Sequence, residues 1–321
     1  MMSIEQTLAQ ARPAETMEVA QRVAQLRREG KDVISLAQGE PDFCTPEHIQ
    51  QAAIDAMRAG KLGYTESAGL YVLREAIVSK LAADQKLAYS VEEISVTSGT
   101  KQAIFNAFFC SLTQGGEVVI PAPCWGSYPE VVKLTGGTPV IVECGAKAGF
   151  KIRPDDLERA LSERTQWLML NSPSNPTGAV YDPDELLAIA EVLRRHPHVR
   201  ILSDDIYEKL VYGGTRFTQI LEVAPDLRGR TLVVNGMSKC YSMTGWRLGY
   251  AAGAKDIISA MILVQGHSTS NANTASQYAA IAALTGDQSC VERFRKTFET
   301  RRDLTVAALR AIPGLDIATP D

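Results

Sequence analysis

An α/β fold with a mainly parallel sheet is predicted for this chain by three observations. Seven short apolar or β-branched runs lie between residues 94 and 252, helix-like stretches separate several of them, and turn-forming residues follow their ends. Short strands alternating with helices feed parallel crossovers, and such sheets bind ligands in the crevice outside the strand C-termini. The runs are Ile94–Thr97, Val118–Ile120, Pro139–Val142, Trp167–Leu170, Arg200–Leu202, Thr231–Val234 and Leu248–Ala252. Between them lie the helical stretches Gln102–Leu112, Pro154–Ser162 and Pro183–Arg195.

The flanking chain is helical. Over residues 14–29 the apolar positions Val19, Val23 and Leu26, widened by Met17, Ala20 and Ala24, repeat with helical spacing and stop at Gly30. A short apolar run, Val33–Leu36, leads into the polar turn Gln38-Gly-Glu-Pro-Asp42. Helices follow at about 47–59 and 70–83, joined by a loop that carries Tyr64. Beyond 255 the pattern is helical through 256–264, 275–285 and 289–311. The two chain ends are expected to form a smaller domain: residues 1–45 and 286–321, around a large domain of residues 46–285. Arg293, Arg295, Arg301 and Arg302 read as a solvated helix face.

Composition narrows the function. A chain of 321 residues with 45% hydrophobic and 22% charged residues has the makeup of a soluble globular protein with a large core. A net charge of −4 gives no reason to expect nucleic-acid binding. Met1–Gln10 lacks a basic region followed by an apolar core, so no leader is expected. No run reaches the roughly 20 apolar residues of a membrane span. Six widely spaced cysteines without a C-x-x-C pair read as free thiols in a reducing cytoplasm, and four histidines form no helical metal pair.

Chemistry is expected just after the strands. In Asn235–Tyr250, Lys239 stands among hydroxyls, with Ser238 before it and Arg247 after it. A strand-end lysine kept partly neutral forms Schiff bases with carbonyls, and Ser238 and Arg247 are donors suited to a phosphate. Together they suggest pyridoxal phosphate (PLP), whose lysine and pyridinium partner are a recurring pair. Ser98-Gly-Thr-Lys101 opens a helix, where Gly99 and Thr100 could cradle a phosphate or simply cap the helix. Trp125 is either a stacking platform or rim packing. In Asn171–Gly178, Asn175 offers an amide to a ring oxygen, unless the segment is merely a turn. In Ser203-Asp-Asp-Ile-Tyr207 a buried carboxylate needs a partner, and a protonated pyridine nitrogen is one. A helix cap is the plainer alternative for Asp204 or Asp205, as loop packing is for Tyr64.

In order, and each at a strand end, these motifs make the chain resemble the class I aminotransferases of PLP fold type I, over essentially its whole length. The Asn171-x-x-x-Asn-Pro-Thr-Gly178 segment and Ser238-Lys239 followed by Gly245-x-Arg247 are the specific part. The Thr100-Lys101-Gln-Ala and Met243-Thr-Gly-Trp-Arg runs are most similar to the bacterial aspartate or aspartate/prephenate branch. The resemblance implies that Lys239 holds the cofactor and shuttles a proton, and that Asp204 pairs with the ring nitrogen. Tyr207 and Asn175 would bind the ring hydroxyl and Trp125 would stack on the ring. Gly99, Thr100, Ser238 and Arg247 would hold the phosphate, with Tyr64 reaching in from the other subunit of a homodimer. Gly39 and Lys101 are the substrate candidates.

The implied reaction moves an amino group from aspartate or another dicarboxylic amino acid to a 2-oxo acid. A PLP lyase or decarboxylase, or a non-catalytic module on this fold, are the competing readings. The family's arginine that clamps the substrate α-carboxylate belongs to a C-terminal part expected beyond Ala318-Thr-Pro-Asp321, so 286–321 reads as only the start of that part. Without such a clamp, transamination by this stretch of chain is expected to be weak.

Overall fold

A computed structural model describes residues 15–36 and 38–321. Met1–Gln10, where no leader was expected, and the first residue of the helix expected over 14–29 lie outside the described residues.

Every predicted run is a strand. They are β1 (Ile94–Thr97), β2 (Glu117–Ala122), β3 (Thr138–Glu143), β4 (Thr165–Asn171), β5 (Arg200–Asp204), β6 (Thr231–Gly236) and β7 (Gly249–Ala252). One sheet contains them all, in the order β1-β7-β6-β5-β4-β2-β3. Neighbours from β3 through β6 pair in parallel, while β7 is antiparallel to both β6 and β1.

The helices are α1 (Glu15–Arg28), α2 (Glu47–Arg58), α3 (Tyr71–Gln85), α4 (Thr100–Ser111), α5 (Ser127–Leu134) and α6 (Pro154–Ala160). After them come α7 (Pro183–Arg195), α8 (Ile220–Val223), α9 (Lys255–Gly266), α10 (Thr274–Thr285) and α11 (Ser289–Arg310). Two of them, α5 and the short α8, were not among the expected helices. Pro129 disguises α5, yet it sits in the first turn, where a missing N–H costs nothing.

Helices cover the sheet on both sides, which is why its central strands are apolar without alternation. Val96, Val119, Leu168, Ile201 and Val233 pack into one layer with α2, α3, α7 and α10. Ile120, Met169, Leu202, Val234 and Ala251 pack into the other with α4, α5 and α9. At the edge, β3 is only partly covered. Along α1 the expected apolar side stays partly open: Val19 is exposed, and Val23 and Leu26 are half-buried.

The chain ends meet through aromatic rings. Phe294 of α11 stacks on Phe43 with centroids 4.2 Å apart and planes 7° apart, and Phe298 meets Phe43 edge-on at 5.2 Å. Arg301 makes a two-pronged pair with Asp42, at 2.7 and 3.1 Å. Arg293 and Arg301 are exposed, as the solvated-face reading expected, but for Arg295 and Arg302 that reading is corrected. Arg302 lies over the Tyr212 ring at 4.9 Å, and Arg295 donates to the Val211 carbonyl while pairing with Glu292 and Glu299. Their long apolar stems cover neighbouring groups while the guanidinium finds acceptors, a use of arginine that helical spacing does not reveal.

Candidate active site

Strand β6 delivers the lysine. The loop that follows it folds back on itself, with the Met243 N–H donating to Ser238 O at 3.1 Å and the Ser242 N–H to Lys239 O at 3.4 Å. Side-chain hydrogen bonds tie this loop to residues 40–45. Thr45 Oγ1 donates to Ser242 O at 2.7 Å, and Trp246 Nε1 to Thr45 Oγ1 at 3.0 Å. The hydroxyls of Ser242 and Thr244 donate to the Phe43 carbonyl and the Glu40 carboxylate. This clamp brings Gly39 to the lysine, whose Nζ donates to the Gly39 carbonyl at 2.6 Å. Burial lowers the Lys239 amine below its usual range; the Glu40 carboxylate opposes this, Arg247 adds to it and Asp204 opposes it. An amine so placed is neutral more often than a surface lysine, as carbonyl attack requires.

Strands β4 and β5 supply the polar ring of the site. Asp204 ends β5 only 2% exposed. Its Oδ2 accepts from the Tyr128 hydroxyl at 2.8 Å, and Oδ1 from the Ile206 N–H at a longer 3.3 Å. Burial pushes this carboxyl up to about 6, while those two donors and the charge of Lys239 pull it down. Neither Asp204 nor Asp205 caps a helix. A turn closed by the Glu208 N–H on Asp205 O at 2.9 Å follows instead, and it carries Tyr207 to the Lys239 side. The Lys239 ammonium lies 5.6 Å from the Tyr207 ring centre, and Asn175 Nδ2 reaches the phenol oxygen at 3.5 Å. Burial pushes the Tyr207 phenol up to about 12.

Two of these partners are absent from the sequence-derived set. Asn171 joins the strand ends, donating to Asp204 O at 2.9 Å and accepting from the Asn175 N–H at 2.8 Å. It stands in the quoted Asn-x-x-x-Asn segment, so the signal was present. Tyr128 had none, because its partner is 76 residues away.

At the end of β1, Gly99 and Thr100 lead into α4, which no side chain caps. Gly99 takes a φ of +85°, and a Cβ there would stand 2.5 Å from Arg247 Nη2. Absence of a side chain therefore lets the guanidinium lie directly over the first turn of a helix, an arrangement that attracts anions. Gly99→Ala is expected to cost about 1–3 kcal/mol of stability and to displace Arg247. Urea midpoints and PLP affinity would both register it, and an unchanged affinity would remove Gly99 from the cradle.

Trp125 meets Tyr128 edge-on at 5.3 Å, with the Lys101 ammonium 4.6 Å from the indole centre. Burial, and then Arg247, lower the Lys101 amine. Ser238 is buried beside Lys239. Tyr64, 93% exposed, is the one candidate that the fold does not bring to the group. A cleft of about 590 Å³ opens over the lysine, lined by Gly39, Glu40, Asn175, Tyr207, Lys239 and Arg301, among others.

The donor set matches PLP end by end. A buried carboxylate with one weakly satisfied oxygen suits a cationic ring nitrogen, and a side-chain-free helix entry under an arginine suits a phosphate. Between them stands an amine of lowered basicity. PLP needs all three at once, which makes the chain a PLP-dependent enzyme. It belongs to the aminotransferase class I and II family, whose model matches residues 31–321.

Known relatives agree. An aspartate aminotransferase of Geobacillus stearothermophilus is 48% identical over 319 residues, covering 99% of this chain and 81% of that protein. A probable aspartate/prephenate aminotransferase of Rickettsia bellii (strain RML369-C) is 46% identical, covering 100% of this chain and 80% of its own. The crystal structure of the aspartate aminotransferase from Rhizobium meliloti superposes with a TM-score of 0.96 at 45% identity, over 100% of this chain and 80% of that one. The aspartate aminotransferase of Thermus thermophilus, solved with maleate, gives a TM-score of 0.92 at 41% identity, over 97% and 81%. The architecture is that of the fold type I aminotransferases.

Proposed function

We propose that this enzyme transfers the amino group of aspartate, or another dicarboxylic amino acid, to a 2-oxo acid such as 2-oxoglutarate, in two half-reactions at one site. The observation that carries this reading is the grouping of Lys239, Asp204 and Tyr207 at adjacent strand ends. When bound, PLP supplies a carbonyl that exchanges with amines and a ring that draws electrons from the substrate α-carbon. Lys239 Nζ anchors the cofactor and then takes and returns the α-proton. Asp204 holds the ring nitrogen in its protonated form, Tyr207 and Asn175 hold the ring hydroxyl, and Trp125 offers its face. The phosphate is assigned to Gly99, Thr100, Ser238 and Arg247, and the substrate to Gly39 and Lys101.

The names of the relatives favour transamination over a lyase, a decarboxylase or a non-catalytic module. A homodimer completes the proposal, with Tyr64 serving the partner's site; its exposure of 93% supports that role. The stacking of Phe43 on Phe294 supports a smaller domain built from residues 1–45 and 286–321 around 46–285. No helix among the described residues is long and apolar enough to cross a membrane. Six unpaired cysteines support a cytoplasmic location.

An absorbance spectrum tests the reaction. Addition of PLP should produce the band of lysine-bound cofactor, and aspartate should then convert it to that of aminated cofactor with release of a 2-oxo acid. A protein that gives no lysine-linked band refutes the proposal, and a cleaved carbon skeleton would move the enzyme to the lyases.

A further inference from the structure

Tyr128 stands where two cofactor contacts meet. It lies on α5, the helix that follows β2, and it is 3% exposed. Its hydroxyl donates to Asp204 Oδ2 at 2.8 Å, across 76 residues of chain. Its ring and that of Trp125 meet edge to face, with centroids 5.3 Å apart and planes at 89°, and its N–H donates to the Trp125 carbonyl at 2.9 Å. One residue therefore touches both the indole assigned to stacking and the carboxylate assigned to the ring nitrogen.

We propose that Tyr128 is a positioning residue that keeps Asp204 ionised and aimed at the cofactor's ring nitrogen. A buried carboxylate gains most from a donor when it is charged, so the hydroxyl favours the ionised form over the neutral one. Among the described residues the carboxylate's other hydrogen bond is a 3.3 Å contact from the Ile206 N–H, and the charge of Lys239 adds a more distant attraction. Asn171 steadies the same strand end, but it does so through the Asp204 backbone carbonyl and leaves the side chain alone. A phenylalanine would fill the same space between α4, α5 and the sheet, so packing alone does not call for the hydroxyl. Buried Tyr89 and Tyr250, by contrast, keep hydroxyls without a partner among the described residues.

This inference rests on the PLP reading, and its test separates the two. PLP affinity is measured for the unsubstituted protein, Tyr128→Phe, Asp204→Asn and the double variant. Tyr128→Phe should weaken PLP binding on the order of tenfold or more, the worth of a hydrogen bond to a buried charge. In the Asp204→Asn background the same change should cost less than about twofold, because the charge it supports is gone. A PLP analogue with C–H in place of the ring nitrogen should likewise be nearly indifferent to Tyr128→Phe. Equal losses in both backgrounds, or with both cofactors, would make Tyr128 a packing residue and overturn the inference. If Tyr128→Phe does not fold, Tyr128→Gln and Tyr128→Leu replace it. The donor-bearing Gln variant should hold PLP more tightly than the Leu variant, and equal affinities overturn the inference. Failure of the unsubstituted protein to bind PLP strikes the proposed function instead.

Discussion

Lys239→Ala should remove the lysine-linked absorbance band entirely and slow amino transfer on the order of 10⁴-fold, the upper end for a general base because the same amine also anchors the cofactor. The geometry leaves no substitute. Lys101 is held against Trp125, 4.6 Å from the ring centre, while the Lys239 amine lies on the Tyr207 side and donates to Gly39 O at 2.6 Å. Folding should survive, because the side chain is half-buried and its hydrogen bond is a single backbone contact. Thermal midpoints of the cofactor-free proteins should agree within about 4 °C, roughly what 1–2 kcal/mol produces in a chain of this size. A Lys239→Ala protein that keeps more than about a hundredth of the activity would place the proton carrier elsewhere.

Asp204→Asn should lower kcat by about 10²–10³-fold, as loss of one preorganised charge typically does, and it should also change how stability depends on pH. Burial raises the folded carboxyl from its ordinary 3.8 to about 6. Between those values the folded, cofactor-free protein binds more protons at this group than the unfolded chain, so stability falls as pH rises through that window. The group's contribution is most favourable below about pH 4 and is diminished by about 3 kcal/mol above about pH 6. Asparagine has no proton to lose, so the Asp204→Asn protein should escape this fall. Urea midpoints at pH 4 and pH 7 read it directly: the unsubstituted protein should lose more stability between them than the variant does. An identical pH dependence for the two would mean that Asp204 titrates in the folded protein as it does in the unfolded chain, and so is better solvated or better paired than its 2% exposure implies.

Much of the proposed cofactor site could be named from sequence because its candidate residues sit in short motifs after apolar runs. Lys239 and Arg247 belong to one loop, Asn175 to another, and Asp204 and Tyr207 to a third. Each loop is local in sequence, and the sheet rule says on which side of the strands they gather. Gly99 and Thr100 were legible as a helix entry, although the helix begins at Thr100 and not at the expected Gln102. Less could be read where the same residue type serves two ends. Arginines on α11 repeat like a solvated face, and only packing against Tyr212 shows Arg302 turned inward.

From sequence alone came the seven strands, their alternation with helices, and the candidate cofactor residues proposed above, because periodicity and turn chemistry act over a few positions. Tertiary structure decided what supports those residues. Tyr128 and Asp204 become neighbours only when α5 and β5 are brought together by the packed sheet. Gly39 reaches Lys239 only because the lysine loop is bonded to residues 40–45, some 200 positions earlier. Such contacts hold nothing until the whole core has formed, and no local pattern in the chain encodes their partners.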